Sequence, residues 1–265
     1  MDDQVRASGE AVPARVITLA FPSGGQGLEL NYAAGDVVET GALIAQVDRT
    51  AAEAALASAR AAVAAAEAGV ASAEAGLAAA EAQLLSARAN LERVEDNSRS
   101  TDQEKEAAKA AVAAAEAGLA AANKGLESAK LGLEAAQRAR SNAEQNLTNT
   151  SIYAPFDGVL VEVYAHSGEI VAPGAPLALL ADLSTLQVET TDLNEVDVAR
   201  VQVGDPVRIS FDALPDVSVT GKVSKIALRN APGAGVYFTV TVTLDEIPEG
   251  LRWGMSAFVE ITVSE

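Results

Sequence analysis

Between Leu56 and Leu147 the larger apolar side chains keep a seven-residue period, and that period leaves the segment few ways to bury them. Leu56, Val63, Val70, Leu77, Leu84 and Leu91 follow at intervals of seven, each trailed three places on by Ala59, Ala66, Ala73, Ala80, Ala87 and Val94. One step further come Arg60, Glu67, Glu74, Glu81, Arg88 and Glu95, a charged flank beside an apolar seam. After a polar stretch from Glu95 to Lys105 the period resumes with Val112, Leu119, Leu126 and Leu133, is interrupted at Arg140, and ends at Leu147. A sustained heptad with a charged flank predicts a coiled coil. Helix is favoured locally as well: 21 of the 40 residues from Ala51 to Asn90 are Ala, the best helix former.

Folding the chain back between Arg99 and Ser100 lays the two periods against each other. Leu91 then faces Ala108, Leu84 faces Ala115, Leu77 faces Ala122 and Val70 faces Ala129. In the other set Val112 faces Ala87, Leu119 faces Ala80, Leu126 faces Ala73 and Leu133 faces Ala66. Every pair sets a large side chain against a small one, so the seam fills without void or clash. The prediction is an antiparallel helical hairpin over residues 51–148, its tip near 97–102, with arms of roughly 45 residues and about 65–70 Å. Gly69, Gly76, Gly118, Gly125 and Gly132 each precede a seam residue, although Gly in a helix interior costs about 1 kcal/mol relative to Ala. Two readings stand: drift by repeat duplication, or a flat strip that lets the backbone of another hairpin approach, as in a tube of several hairpins.

The flanks are different material. All ten aromatic residues and all nine prolines lie at or before Tyr32 or at or after Tyr153. Gly35-Asp36-Val37-Val38-Glu39-Thr40-Gly41, followed by the apolar Ala42 to Val47, aligns without a gap on Gly168-Glu169-Ile170-Val171-Ala172-Pro173-Gly174 and Ala175 to Leu180, 133 residues later. Upstream, Gly27 to Tyr32 echoes Val159 to Tyr164. Short strands punctuated by Gly predict two half-sandwiches, which meet as one pseudo-symmetric β-domain because the hairpin returns its ends to one place. Residues 184–265 also read as β, through Val207 to Phe211, Tyr237 to Leu244 and Ala257 to Val263, with one short helix within Asp192 to Arg200.

Composition removes whole classes of function. A formal charge of −18 argues against a chain that lives on phosphate backbones, so no nucleic-acid partner is expected. With no Cys and one His, disulfides, thiol chemistry and zinc or iron–sulfur sites have next to no ligands. No run of about 18 uncharged apolar residues is present. The start, Met1-Asp2-Asp3, lacks the basic and apolar regions of a signal peptide. The chain as it stands therefore reads as soluble, any targeting segment being absent or trimmed. Asp192, Glu195 and Asp197 cluster without other ligand types and read as a solvated edge. No Ser/His/Asp set, phosphate-cradling loop or buried carboxylate pair assembles, and the expectation is a non-enzyme. Residues 51–150 hold 14 acids and 10 bases, the remainder 23 and 9; the negative charge gathered outside the hairpin favours cationic cargo or serves solubility.

The Gly-Asp-Val-Val half, the hairpin and Ala154-Pro155-Phe156-Asp157-Gly158-Val159 resemble, in that order, the split lipoyl domain of bacterial membrane fusion proteins. These HlyD-like proteins are the periplasmic adaptor subunits of efflux and secretion systems. The resemblance continues through Leu180-Ala181-Asp182-Leu183-Ser184-Thr185-Leu186, Gly204-Asp205-Pro206-Val207, Gly221 to Ile226 and Gly254 to Ala257. It implies a multidomain α and β chain: an antiparallel coiled-coil hairpin inserted in a split lipoyl-like β-sandwich, followed by a small β-barrel. The expected domains are an N-terminal strand over 1–13 joining the barrel, the lipoyl-like domain over 14–50 and 149–183, the hairpin over 51–148, and the barrel over 184–265. A true lipoyl or biotinyl carrier needs a Lys at the turn that the hairpin replaces. No Lys lies between Lys130 and Lys222, so no cofactor is expected.

The same resemblance implies an extracytoplasmic adaptor, coupled to an inner-membrane transporter of the ABC or RND type and self-assembled, as a hexamer, into a ring or channel. An outer-membrane duct is a further candidate partner, and the membrane is reached only through a segment missing from this chain. The alternative is a structural coiled-coil envelope spacer without a transport role. Adaptors that dock on an outer-membrane duct carry at the tip an Arg, a Leu four residues later and a Ser seven after that. Leu91 and Ser98 fit, but Ala87 stands at the Arg place and Arg88 is one place late. Leu91, Arg93, Asn97, Ser98, Arg99 and Ser100 are the candidate partner contacts, with seam core as the competing reading for Leu91 and solvent for the others. His166 lies in Tyr164-Ala165-His166-Ser167-Gly168, a loop that resembles the channel constriction of some ABC-exporter adaptors. A ring of imidazoles there would respond to pH near about 6–7; the alternative is an exposed loop His.

Overall fold

The computed structural model describes residues 4–230 and 236–263, leaving aside the side chain of Asp216; Met1-Asp2-Asp3 and the last two residues lie outside that range. The chain divides into two compact units, residues 48–150 and the two flanking stretches taken together. The fold class read from the sequence holds: a long antiparallel hairpin, paired β-sheets of a split domain and a closed barrel.

In the first unit, helix α1 (Thr50–Asp96) packs against helix α2 (Asp102–Thr148), each of 47 residues. Burial follows the heptad: from Leu56 to Val94 the residues that are not exposed are the seam residues and no others. On α2 the seam from Ala108 to Ala136 behaves in the same way, and Arg140, the break in the period, is exposed. One charged flank bridges the helices, with Arg88 Nη2 2.8 Å from Glu116 Oε1. Glu74 and Lys130, then Arg60 and Glu144, occupy the equivalent places two and four heptads toward the helix ends. The opposite flank carries the five glycines, all exposed, and a Cβ added to any of them would meet nothing within 4 Å. By length and mean hydropathy α1 contains a window apolar enough to cross a membrane, a consequence of its alanines.

The second unit opens with strand β1 (Gln4–Pro13), β2 (Val16–Ala20), β3 (Glu29–Leu30), β4 (Val37–Val38) and β5 (Leu43–Gln46). After the hairpin come β6 (Ser151–Tyr153), β7 (Gly158–Val163) and β8 (Pro176–Ala181). One sheet has the order β2-β8-β7-β4 and the other β3-β5-β6, so each contains strands from both sides of the hairpin. The repeat at 133 residues is built into the pairing. Glu29 opposes Gln46 as Glu162 opposes Leu179, and Leu30 opposes Ala45 as Val163 opposes Ala178. Gly41 N donates to Ala154 O while Gly174 N donates to Phe21 O, both at 2.8 Å. Val38 opposes Gly158 as Val171 bridges to Gly25. The upstream echo holds at its start, where Gly168 N donates to Leu28 O as Gly35 N donates to Leu160 O; past the bulge between Leu160 and Glu162 it runs at 133, matching Leu30 to Val163. Phe21, Leu28, Val38, Ile44, Leu160, Leu177 and Leu180 form its core.

Beyond Ala181 the chain forms β9 (Leu186–Thr190), β10 (Leu193–Asn194), α3 (Glu195–Val198), β11 (Pro206–Phe211), β12 (Leu214–Ile226), β13 (Tyr237–Phe238), β14 (Val240–Leu244) and β15 (Ser256–Thr262). The order β1-β15-β11-β12-β14-β9 closes on itself. Strand β1 alternates exposed and buried residues, with Val5, Ala7 and Ala11 in a core shared with Val188, Ile209, Phe211, Val242, Val259 and Ile261. Closure between β1 and β9 is close enough that a Cβ on Gly9 would lie 2.5 Å from Glu189 O. The sequence reading missed the 13-residue β12, whose Pro215 and Gly221 carry turn and breaker signals. Its first residues pair past a bulge at Ser210/Phe211.

The glycines separate two physical roles. Gly118→Ala should raise the stability of the hairpin by about 1 kcal/mol, since nothing opposes the added methyl group. Gly158→Ala should lower stability by about 1–3 kcal/mol, because its Cβ would sit 2.6 Å from Ala181 O. Thermal melts of the two variants beside the parent chain check both signs.

Candidate functional site

The hairpin tip is a turn closed from both sides. Asn97 leaves α1 in an extended conformation; its Oδ1 accepts from Arg99 N at 3.1 Å and its carbonyl accepts from Ser100 N at 2.9 Å. Helix α2 starts with a capping box: Glu104 N donates to Thr101 Oγ1 at 3.3 Å and Thr101 N donates to Glu104 Oε2 at 2.7 Å. Those bonds, led by the Thr101 backbone, hold the Glu104 carboxyl below its ordinary range. The spacing Thr-x-x-Glu was present in the sequence as a start signal for α2 and went unread. Of the predicted tip residues, Ser98 and Arg99 are exposed and Ser100 is half-buried. Arg93 Nη2 donates to Asn90 Oδ1 at 2.8 Å, and Leu91 is half-buried in the seam.

His166 lies on the pseudo-symmetric loops of the other unit. Its side chain is 83% exposed, with Nδ1 3.2 Å from Glu169 Oε1, and its backbone N donates to Glu169 Oε2 at 3.1 Å. The equivalent loop has the same device, Ala33 N donating to Asp36 Oδ2 at 2.8 Å. The acid of each Gly-acid-β-branched motif thus pins its own loop. Between the loops opens a shallow cavity of about 540 Å³, lined among others by Leu30, Tyr32, Asp36, Val163 and His166. Neighbouring Tyr164 has its hydroxyl pKa raised by a hydrogen bond to Glu162. The hairpin tip and the His166 loop belong to different units.

A well-connected polar cluster lies where the chain crosses twice between the lipoyl-like sheets and the barrel, at Ala14-Arg15 and at Asp182 to Thr185. Asp182, with a side chain only 7% exposed, accepts from Arg15 Nη2 at 2.8 Å and from Ser184 Oγ at 2.6 Å. The Ser184 hydroxyl, then the Arg15 guanidinium, hold its carboxyl far below the usual carboxylate range. Asp182 N donates to Arg15 O and Ala14 N to Thr185 O, tying the crossings to each other. The guanidinium also lies 4.7 Å over the Phe156 ring. Asp157 accepts from Thr40 Oγ1 at 2.7 Å and from Thr40 N at 2.6 Å, which lowers its pKa. Phe156, Asp157 and Gly158 are therefore structural: a ring under Arg15, a carboxylate on the Thr40 turn, a glycine against Ala181. Beside the crossings is an apolar groove of about 330 Å³, lined by Val161, Leu183, Leu186, Leu251, Arg252 and Trp253. Sequence reasoning passed over this latch, although Asp182-x-Ser184 is the spacing of an Asx turn.

The acidic edge at Asp192, Glu195 and Asp197 is put to local use. Asp192 Oδ1 accepts from Ser8 N at 2.7 Å, and Asn194 caps α3 while donating to Asp197. Among the described residues no three His, Asp or Glu side chains converge as a metal ion would require.

Comparison with known proteins places these features. A family model of the YknX-like β-barrel domain matches residues 186–261. The cobalt-zinc-cadmium resistance protein CzcB of Cupriavidus metallidurans is 32% identical over 124 residues, 46% of this chain and 23% of that protein. YhbJ of Bacillus subtilis, named as an efflux system component, is 27% identical over 139 residues, 47% of this chain and 61% of that protein. The matches span less than two thirds of the length of either relative. Among solved structures, the membrane fusion protein Spr0693 from Streptococcus pneumoniae R6 superimposes with a TM-score of 0.65 at 22% identity, covering 98% of this chain and 100% of that one. MacA from Actinobacillus actinomycetemcomitans gives 0.74 at 20% identity, covering 100% and 79%. At such identities the structural likeness speaks for the fold. The resemblance to membrane fusion proteins read from the sequence is borne out.

The latch at Asp182 has a pH signature. A carboxyl whose folded pKa is depressed stabilises the fold above its unfolded value of about 3.9 and loses that contribution as pH falls toward the folded value. Asp182→Asn should cost about 2 kcal/mol at pH 7, the scale of charge-assisted hydrogen bonds. The gap between parent and variant should narrow below about pH 4. Denaturant titrations of both chains at neutral and acid pH check it.

Proposed function

We propose that this chain is the extracytoplasmic adaptor of a multi-component efflux or secretion transporter, working by shape and assembly rather than by catalysis. In this reading several copies form a ring, as a hexamer, through which the exit path of an inner-membrane ABC or RND transporter continues. The β-barrel holds the transporter side, the lipoyl-like domain builds the ring, and the hairpins form the conduit. The likeness in fold to membrane fusion proteins along nearly the whole chain, joined to sequence likeness to efflux components, carries the proposal.

The hairpin supports self-assembly independently. Its five exposed glycines each cost about 1 kcal/mol relative to Ala, and a Cβ added to any of them would meet nothing within 4 Å. The exposed back of α1 is almost entirely Ala and Ser from Ala57 to Ala89. A two-helix rod of about 70 Å has a seam but no interior, and lateral neighbours would supply one. The polar tip, Arg93 and Asn97 to Ser100, is the proposed surface for the next component, whether an outer-membrane duct or another protein. His166 is the proposed channel-facing residue of the ring.

The test is capture of the full chain from native membranes after mild cross-linking. The proposal expects an integral-membrane permease, with its ATPase or proton-coupled equivalent, in near-stoichiometric yield, and loss of export when the gene is deleted. Recovery of envelope components alone, with export unchanged by deletion, would replace it with the reading of a structural spacer.

A further inference from the structure

The hairpin exposes two large aliphatic side chains among its described residues, Leu85 on α1 at 71% and Leu131 on α2 at 61%. Every other large apolar residue of the two helices lies in the seam. Neither leucine belongs to the heptad core: both stand on the back of their helix, turned away from the partner helix. An isolated exposed leucine needs no explanation. Two of them, on opposite backs of the same rod, acquire one when their heights are compared.

Height along the hairpin is fixed by the seam. Leu126 is level with Ala73 and Leu133 with Ala66, so Leu131 is level with Ala68. The back of α1 at that height consists of Ala64, Ala65, Ala68, Ala71 and Ser72. Leu84 is level with Ala115, so Leu85 is level with Ala114, and the back of α2 there consists of Ala110, Ala113, Ala114 and Ala117. In both cases the surface level with the leucine, on the other helix, is made only of small side chains. A leucine cannot reach that surface within its own chain, because the two backs lie on opposite sides of the hairpin, roughly 20 Å apart.

We propose that the occupant is a second copy of this chain, packed side by side so that Leu131 enters the Ala68 hollow of one neighbour and Leu85 enters the Ala113 hollow of the other. Rotation about an axis along the rods keeps every residue at its own height and brings the back of α1 against the back of α2 in the next copy. That rotation delivers each leucine to its hollow with no sliding. The proposal rests on the self-assembly reading above and gives it a register. A contact strip about 70 Å long and about 10 Å wide covers roughly 700 Å² per copy, within reach of a standard stable interface. The charges near Leu131, at Lys124, Glu127, Glu134 and Arg138, meet uncharged Ala and Ser residues across the contact and can lay their stems on them while their ends reach water.

The chain has no Cys, so paired cysteines report the register directly. In the full chain, Leu131→Cys with Ala68→Cys, and separately Leu85→Cys with Ala113→Cys, should oxidise to a ladder of covalent multimers. Leu131→Cys with Ala75→Cys, displaced by about 10 Å, lies beyond disulfide reach and should stay monomeric on a denaturing gel. Leu131→Glu should weaken self-association by about tenfold or more in sedimentation, the scale of one buried leucine, with helix content unchanged. Oligomers that link at Ala75 rather than Ala68, or at neither, would overturn the register and leave self-assembly standing. A parent chain monomeric at every concentration, with no linkage in any pair, would overturn both.

Discussion

The ladder between β5 and β6 carries the architecture. Gln46 opposes Ser151 and Ala45 opposes Ile152, so the chain leaves a sheet, runs through residues 48–150 and re-enters beside its point of exit. Closing so long an excursion costs conformational entropy that grows only slowly with length, and the hairpin's own seam brings its ends back. The sheets on either side can then be shared: every strand pair that mixes the halves depends on this return. Pseudo-symmetry follows from it, with Gly41 to Ala154 and Gly174 to Phe21 as matching closures.

Within that frame the two units solve different problems. The β-unit holds both large cores and latches its two crossings through Asp182, so its parts are positioned by burial and by a shielded carboxylate. The hairpin has little burial to draw on, and its seam pairs large residues with alanine. What it offers is length and three distinct surfaces: a charged flank, a glycine flank and alanine backs. A rod of this kind is left with surface to share, which the proposed assembly would use.

The hairpin was legible because the period of seven is a purely local consequence of helical geometry; the large-to-small pairing allowed slips of whole heptads, and the demand for arms of equal length chose among them. The β-halves were legible through Gly35, Gly41, Gly168 and Gly174, whose positive φ values require glycine and so mark equivalent turns. What escaped depends on distance in sequence. The Arg15–Asp182 contact joins residues 167 positions apart, and nothing in either neighbourhood announces the other. Strand β12 escaped because its proline sits at a bulged start and its glycine serves a close strand approach, both usual signs of a turn. At the tip, Leu91 lies half-buried in the seam, while the order there comes from Asn97 and the Thr101–Glu104 capping box.

The measurement that bears most directly on this account is excision of the insertion. Residues 48–150 would be replaced by a short glycine-containing turn joining Val47 to Ser151, and the product followed by circular dichroism and denaturant titration. The account predicts a β-rich protein that unfolds in one cooperative transition, because every core and every sheet of that unit lies outside the hairpin. A product without stable β-structure would contradict the claim that the two distant halves form one domain in their own right.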